Sequence, residues 1–554
     1  MKTRHYAQLF LILLVSVLYT RDMFNENLFY PDAGHLMLDG VFIADYLKHI
    51  FTNGFTDPME YAIRYFGQYP ALSIGYKPPL WPAIQAVFIL ILGVAPWVMR
   101  LALLILALFA VITLYRTIER CLGPFVAWAA ASVTISIPYL VQWGWYAMTE
   151  LPALIFILSA GWPFIRYLEE RKNRHLAYLV ILLAAGAWCK QTAAVGAIWI
   201  IIAAIFSLGF KETFKRREIW AAMVAYSVLI LPVIMLTLEF GKKNLAQSVG
   251  KGKDNYIDFV APQNNLFKYI NILFEDQLST IFITLAIAGI LVAMWRLYKG
   301  VKLGEKHIII LFLSLIIATY IFFTLLYGNN PRYTMFWLPA FGFFAGYLLS
   351  QLRSNFSPKY AAIAVSALLS LNVMQSFAML PREVVGMPLA AEFVIQNSKS
   401  PIVMVDSYIN AHFIYSMRQK DPEQQFWIIR ADKVLSLAPM NPTTNNVTTL
   451  AHSIKDIKNI LFKYGVRYVV VEKNELMGIP IHSTLRDYLT SSDFRLMQEI
   501  ATSSNRDNRY NKGQAVQIFE FLKWKKPKSS SISIQVPIVG KTFTTPIREL
   551  NINK

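Results

Sequence analysis

The sequence predicts a polytopic all-α membrane protein of about 11 transmembrane helices, plus juxtamembrane helices in the first outer loop, with a small α/β C-terminal extracytoplasmic domain. Three observations predict it. Of 554 residues, 55% are hydrophobic and 16% charged, and the mean hydropathy is +0.42, which sets the chain apart from soluble globules. Apolar stretches recur through the first 380 residues, most of them long enough to cross a hydrocarbon core. Past that point the pattern changes to short apolar runs separated by polar and turn residues. A net charge of +19 invites a nucleic-acid reading, but Lys and Arg between spans account for much of it. The only cysteines, Cys121 and Cys189, both lie beside apolar segments, so no disulfide framework and no Cys-based metal site is visible.

Residues 9–19, LFLILLVSVLY, follow Lys2, Arg4 and His5. No small-x-small cleavage pattern comes after them, so they read as a retained anchor with the N-terminus inside. A polar loop over roughly 21–78 follows. Spans are predicted near 97–116, 124–143, 150–168, 175–190, 192–209, 219–238, 279–297, 307–327, 332–350 and 360–378. The segment 83–95, AIQAVFILILGVA, is short for a span and is crowded at its start by Pro78, Pro79 and Pro82. The positive-inside rule arbitrates. Laid flat, this segment leaves the clusters Arg116/Arg120, Arg166/Arg171/Lys172/Arg174, Lys211/Lys215/Arg216/Arg217, Arg296/Lys299/Lys302/Lys306 and Arg353/Lys359 on one side with Lys2 and Arg4, eighteen basic residues in all. It is therefore read as a juxtamembrane helix, and Asp32, Lys77, Glu150, Lys190 and Arg332 then all belong to the outer side.

A second outer loop, 239–277, carries Lys242, Lys243, Lys251 and Lys253. Beyond residue 380, PIVMVD, FWII, YVVVE and AVQIFEF read as strands, and IKDIKNILFKYG as an amphipathic helix closed by Gly465. The domains are thus expected at 1–380 (transmembrane, with outer loop 21–96), 381–525 (soluble, extracytoplasmic) and 526–554, a Lys/Ser/Thr-rich tail expected to be loosely held.

Six residues, Asp32, His35, Lys77, Glu150, Lys190 and Arg332, are candidates for chemistry. On a helix, Asp32, His35 and Asp39 share a face, either as the wet side of an interfacial helix or around a general base or acid. Lys77 precedes Pro-Pro and so has an extended backbone; it either snorkels to headgroups or presents a fixed cation to a lipid phosphate. Glu150, in YAMTELPAL, caps a span where a helix dipole would satisfy it. Lys190 interrupts an apolar hairpin, and ionisable residues at that depth point to function. Arg332, in YGNNPRYTMFW, marks an outer span start.

These motifs, in this order, resemble the polytopic glycosyltransferases of the C superfamily, and more narrowly the branch of dolichyl-phosphate-mannose protein mannosyltransferases and aminoarabinose transferase. The segments that carry the resemblance are YPDAGHLM, YKPPLW, RLALLILALFAVITLYRTIERCLG, TELPALIFIL, LAAGAWCKQTAAV and PRYTMFWLPAFGFFAGYLL, covering about residues 1–380. It implies a sugar donor on a polyprenyl phosphate, used at the outer face of the plasma (inner) membrane, and an acceptor protein, lipid or polysaccharide. By resemblance Asp32 matches the catalytic first-loop carboxylate, Glu150 a second acid, Lys77 the lysine that contacts donor phosphate, Lys190 a cavity lysine and Arg332 the arginine of an Arg-Tyr motif; His35 is expected among the substrate-binding residues. Ala33, His35 and Tyr76 depart from residues that relatives carry, Tyr76 in the place of an aminoarabinose-enzyme Glu, so a metal site of that kind is in doubt and divalent metal use stays open. No nucleotide-binding Gly-rich loop is evident. A lipid or glycan transporter or flippase is the alternative, although inverted repeats are not visible; a structural membrane protein is the third reading.

Overall fold

The structure is a computed structural model. It describes residues 2–73, 75–241, 260–326, 330–437, 447–505, 507–511, 513–529, 531–536 and 541–546. The lysines of the second outer loop, 242–253, lie outside the described residues. The chain forms two compact units: residues 1–23, 75–81 and 100–380, and residues 24–74, 82–99 and 381–554.

The first unit is a helix bundle. Eight helices among the described residues are long and apolar enough to cross a membrane, and the pair Pro124–Ile135 and Pro138–Trp145, bent by 60°, makes a ninth. The bend falls at Pro138, which removes an amide and cannot continue the preceding helix. Lys2–Tyr19 and Asn173–Cys189, expected as spans, are helices of 18 and 17 residues. Arg217–Phe240 has only 6% of its apolar window buried, which water would not tolerate and lipid would.

Close backbone contact, rather than bulky packing, joins the central pair. A Cβ on Gly346 in Leu338–Asn355 would fall 2.5 Å from the Ala130 Cα of Pro124–Ile135. Small residues at a crossing let two helices approach where lipid offers no hydrophobic drive.

Ion pairs fix the direction of the spans. Arg4 meets Glu119 at 3.1 Å and Arg120 meets Glu169 at 2.9 Å, so the N-terminus and the first two basic loops gather at one end of the bundle, and Arg296 meets Glu305 at 2.9 Å within its own connection. At the other end Arg21 donates to the carbonyls of Ser376, Phe377 and Met379 at 2.8–2.9 Å, capping the last span. The first helix begins and Pro96–Leu122 ends at the end marked by the Arg4–Glu119 pair. Helix Leu80–Leu92 keeps Val87 54% and Ile91 75% exposed.

The second unit holds a five-stranded sheet in the order Trp427–Arg430, Ile402–Asp406, Tyr468–Glu472, Ala515–Phe521, Phe494–Ala501. The first three strands are parallel and the last two antiparallel. Ile402–Asp406 and Tyr468–Glu472 are buried on both faces, which explains their unbroken apolar runs. One face packs helices Ile454–Tyr464, closed by Gly465 at φ +63°, and Pro480–Leu489. The other packs Met387–Asn397 and Asn410–Lys420. That second face also takes Leu38, Phe42, Tyr61, Tyr65 and Tyr69, so the first-loop helices Ala33–Asn53 and Pro58–Gln68 fold with this unit. A buried ion pair, Arg418 to Asp45 at 2.7 Å, with the Tyr65 hydroxyl donating to Asp45 at 2.9 Å, fastens them.

The expectation of a loosely held tail gives way to a hairpin of Ser531–Val536 and Lys541–Pro546. Alternation in SISIQV puts Ile532 and Ile534 on one buried face, and the Thr545 hydroxyl donates to the Ile63 carbonyl at 3.0 Å. Composition hid a period-two signal that two isoleucines are enough to anchor.

At the carboxyl end of strand Ile402–Asp406, Asp406 accepts from His482 at 2.6 Å and Arg486 at 2.7 Å, while Ser436 meets the other His482 nitrogen at 2.9 Å. The order is that of a nucleophile, base and acid, but Ser436, His482 and Asp406 are 0–1% exposed, so the network is architectural. Burial works against the His482 charge, yet the Asp406 carboxylate raises the imidazole above its ordinary value. That contribution to stability is whole below about pH 6.5 and is lost as pH rises through the raised folded value. His482→Ala is therefore expected to cost about 3 kcal/mol by leaving a buried charge with a missing partner. The gap from wild type should be widest below about pH 6.5 and narrow at higher pH, measured by amide-exchange protection of Ile402–Asp406 and Tyr468–Glu472 in the full chain.

Candidate functional site

The site is built from four breaks in the helix bundle. The first is the start of Glu150–Glu170. Ala147, just before it, holds φ +52°, a left-handed backbone that costs a non-glycine residue on the order of 1 kcal/mol. Its carbonyl accepts the Trp81 indole N–H at 2.8 Å, which ties the KPPLW motif to this corner. Glu150 follows with its carboxylate 1% exposed at a helix start, where the dipole favours negative charge.

The second break is Lys190, at φ −157° and ψ 130° between Asn173–Cys189 and the 3₁₀ turn Gln191–Ala194. This extended residue throws its ammonium onto Glu150, with Nζ 2.5 Å from Oε1. The third is Arg332, ahead of the turn Tyr333–Trp337. Its Nε stands 3.4 Å from the same Glu150 oxygen. The Tyr333 ring lies 5.3 Å from the Lys190 ammonium and 5.6 Å from the Arg332 guanidinium, so both cations meet one aromatic face. Gln277 secures the turn: its amide donates to the Pro331 carbonyl at 2.6 Å and to Thr334, and it accepts the Trp337 indole N–H at 2.7 Å.

Lys77 supplies the fourth break. Its ammonium sits 5.9 Å from the Tyr76 ring, and the Tyr76 carbonyl accepts from the Gln191 side chain at 2.9 Å. The charges of Glu150, Arg332 and Lys77 all bear on Lys190. One carboxylate among three cations leaves the cluster two charges positive, the complement of a phosphate. Among the described residues no three His, Cys, Asp or Glu side chains come together to hold a metal ion.

Thus three of the six candidates, Glu150, Lys190 and Arg332, meet in the bundle, and the charge of a fourth, Lys77, bears on Lys190. Asp32 and His35 belong to the second unit. Asp32 is the N-cap of Ala33–Asn53 and makes no side-chain capping bond to that helix. His35 Nδ1 lies 2.6 Å from the Ala71 carbonyl. The shared helical face does not hold for Asp39. It is fully buried and accepts from the Ser73 amide at 2.7 Å and from the Ser73 hydroxyl, which makes it a loop fastener. Sequence reading missed Trp81, Gln191, Gln277 and Tyr333. Three of them stood in motifs already singled out, Trp81 in YKPPLW, Gln191 after Lys190 and Tyr333 after Arg332; Gln277 had no such signal.

The fold is that of a polytopic membrane protein, a bundle of apolar helices joined to a small sheet domain. Residues 76–236, which hold Lys77, Glu150 and Lys190, match the family described as dolichyl-phosphate-mannose-protein mannosyltransferase. The crystal structure of ArnT from Cupriavidus metallidurans bound to undecaprenyl phosphate superposes with a TM-score of 0.56 at 12% identity, covering 92% of this chain and 97% of that one. The oligosaccharyltransferase of Archaeoglobus fulgidus, in complex with zinc and sulfate, gives 0.54 at 12% identity over 83% and 68% of the two chains. AglB from the same organism, with an inhibitory peptide and a dolichol-phosphate, gives 0.50 at 12% over 84% and 69%. At such identities the likeness is one of fold. No curated protein sequence matches the chain.

The cluster makes a stability prediction. Lys190→Met leaves buried Glu150 short of a cation and is expected to cost about 3 kcal/mol; adding Glu150→Gln should recover most of it. Unfolding midpoints of the detergent-solubilised single and double variants check this. Purely additive losses would show that the two residues are not coupled.

Proposed function

We propose that this protein is an integral-membrane glycosyltransferase that moves a hexosyl or pentosyl group from a polyprenyl-phosphate donor to an acceptor hydroxyl. The observation that carries the reading is the buried, net-positive Glu150–Lys190–Arg332 cluster, with Lys77 acting on it. A lipid-borne donor brings its own anion into a low-dielectric bundle, and preset cations are worth most there. The match of residues 76–236 to the mannosyltransferase family supports it, as does the fold shared with proteins crystallised on undecaprenyl phosphate and dolichol-phosphate.

In this reading Asp32 is the base. It takes the acceptor proton as the hydroxyl oxygen bonds to the anomeric carbon. The carbon–oxygen bond to phosphate breaks, and the polyprenyl phosphate leaves with the electron pair. Lys77, Lys190 and Arg332 hold the phosphate charge as it grows. Glu150 serves by keeping Lys190 and Arg332 side by side against their mutual repulsion. The basic end of the bundle lies in the cytoplasm by the positive-inside rule, which puts the cluster on the outer face of the plasma (inner) membrane.

The experiment is transfer with purified protein, polyprenyl-phosphate sugars and native envelope material, read by mass spectrometry for the component that gains a sugar mass. Asp32→Asn is expected to lower turnover about 10²–10⁴-fold in folded protein. Lys77→Met should weaken use of the donor at least about tenfold, through the lost phosphate contact. Movement of lipid-linked sugar across sealed vesicles with no new glycosidic bond would overturn the proposal in favour of a transporter.

A further inference from the structure

The C-terminal domain offers a buried histidine that the mechanism above does not use. His412 is 2% exposed in the first turn of Asn410–Lys420. Its Nε2 lies 2.9 Å from the Tyr30 carbonyl, two residues before Asp32. A carbonyl only accepts, so Nε2 carries the proton and donates. Its Nδ1 is buried without a hydrogen-bond partner among the described residues. Burial pushes this imidazole down to about 4, with the Tyr30 carbonyl, the Asp32 charge and the Pro31 carbonyl each working the other way. The ring is neutral at physiological pH, and the Asp32 charge bears on it.

The backbone is equally close. A Cβ on Gly34 would fall 2.6 Å from the Ala411 carbonyl and 2.8 Å from the His412 nitrogen. Only glycine lets the acidic motif rest directly on that turn. The motif YPDAGH is thus held from two sides, by the ring of His412 through Tyr30 and by backbone contact at Gly34. A ring with one unmet nitrogen is a poor choice for packing alone, because an apolar residue of similar size would avoid that loss.

Resting on the reading of Asp32 as base, we propose that His412 is a positioning residue. Its Nε2–H bond to the Tyr30 carbonyl fixes the turn that sets Asp32, and so makes the C-terminal domain part of the catalytic geometry.

Two arms test this on the full chain. The first needs no ligand. His412→Leu should raise amide exchange over residues 30–36 about tenfold while Leu338–Asn355 is unchanged, and His412→Gln, which keeps an N–H at a similar reach, should restore protection. The second arm uses the transfer assay with the donor that turns over there. His412→Leu should lower kcat at least about tenfold with KM for donor within about twofold, and His412→Gln should recover most of it, as expected for a misplaced base. Wild-type exchange in His412→Leu, or equal loss in the Leu and Gln variants, overturns the proposal. If Asp32→Asn itself keeps turnover, the reading of Asp32 as base fails, and the exchange arm alone decides whether His412 sets the turn.

Discussion

One buried carboxylate organises the bundle. Glu150 has almost no contact with solvent, and its charge is tolerable only because Lys190 and Arg332 converge on one of its oxygens. The dependence is mutual. Two cations brought this close repel, and each would draw water or lipid phosphate into the bundle without the acid between them. The breaks in the helices follow from that requirement. Lys190 leaves the helical backbone to reach Glu150, Arg332 stands ahead of a 3₁₀ turn, and Ala147 takes a left-handed conformation immediately before the acid. Each break exposes backbone groups that the membrane will not satisfy; Trp81 and Gln277 satisfy two of them, and Trp337 holds the Gln277 side chain in place. Strain and polar anchoring therefore sit in the same place, as in other sites where geometry is held against local preference.

Much of this was legible because charge in an apolar sequence is costly and so conspicuous. Lys190 and Arg332 stood out against hydrophobic surroundings, and the positive-inside argument put both on the side of Glu150 and Lys77 before any coordinates. That Lys2 and Arg4 belong at the same end as Arg116 and Arg120 was legible for the same reason, and Arg4 does pair with Glu119. The neutral parts of the site were not. Gln277 and Trp337 carry no charge and look like ordinary residues of an interfacial turn. Their role depends on a hydrogen bond between segments far apart in the chain, which no periodicity records. Asp39 shows the converse error. A carboxylate three or four residues from its neighbours on a helix suggests a shared face, but the Ser73 amide that claims it lies in a different segment.

The soluble part obeys different rules. Its central strands were readable because burial on both faces gives unbroken runs of Val and Ile. What the pattern did not reveal is how much of the first loop belongs to it. The aromatic row Tyr61, Tyr65 and Tyr69 reads as loop composition, yet it packs on the same core as Val403, Val470 and Ile518. In an isolated loop such rings would be an exposed apolar patch. Here they explain why a long polar-looking insertion has a defined structure.

Register is the remaining question, since a packed aromatic face alone tolerates sliding. The pair Arg418–Asp45 removes that freedom: a buried guanidinium and carboxylate lose heavily if displaced, whereas rings re-pack at little cost. Gly34 against Ala411 removes it a second time, because any larger residue would have to lift the chain away. Charge at Asp45 and absence of a side chain at Gly34 lie on the same helix, Ala33–Asn53, whose N-cap is Asp32. Two constraints on one rigid element determine where its end must be. The position of the acidic residue is thus a property of the helix it caps and of the domain that helix is clamped to, and a mutation in either reaches Asp32 without touching it.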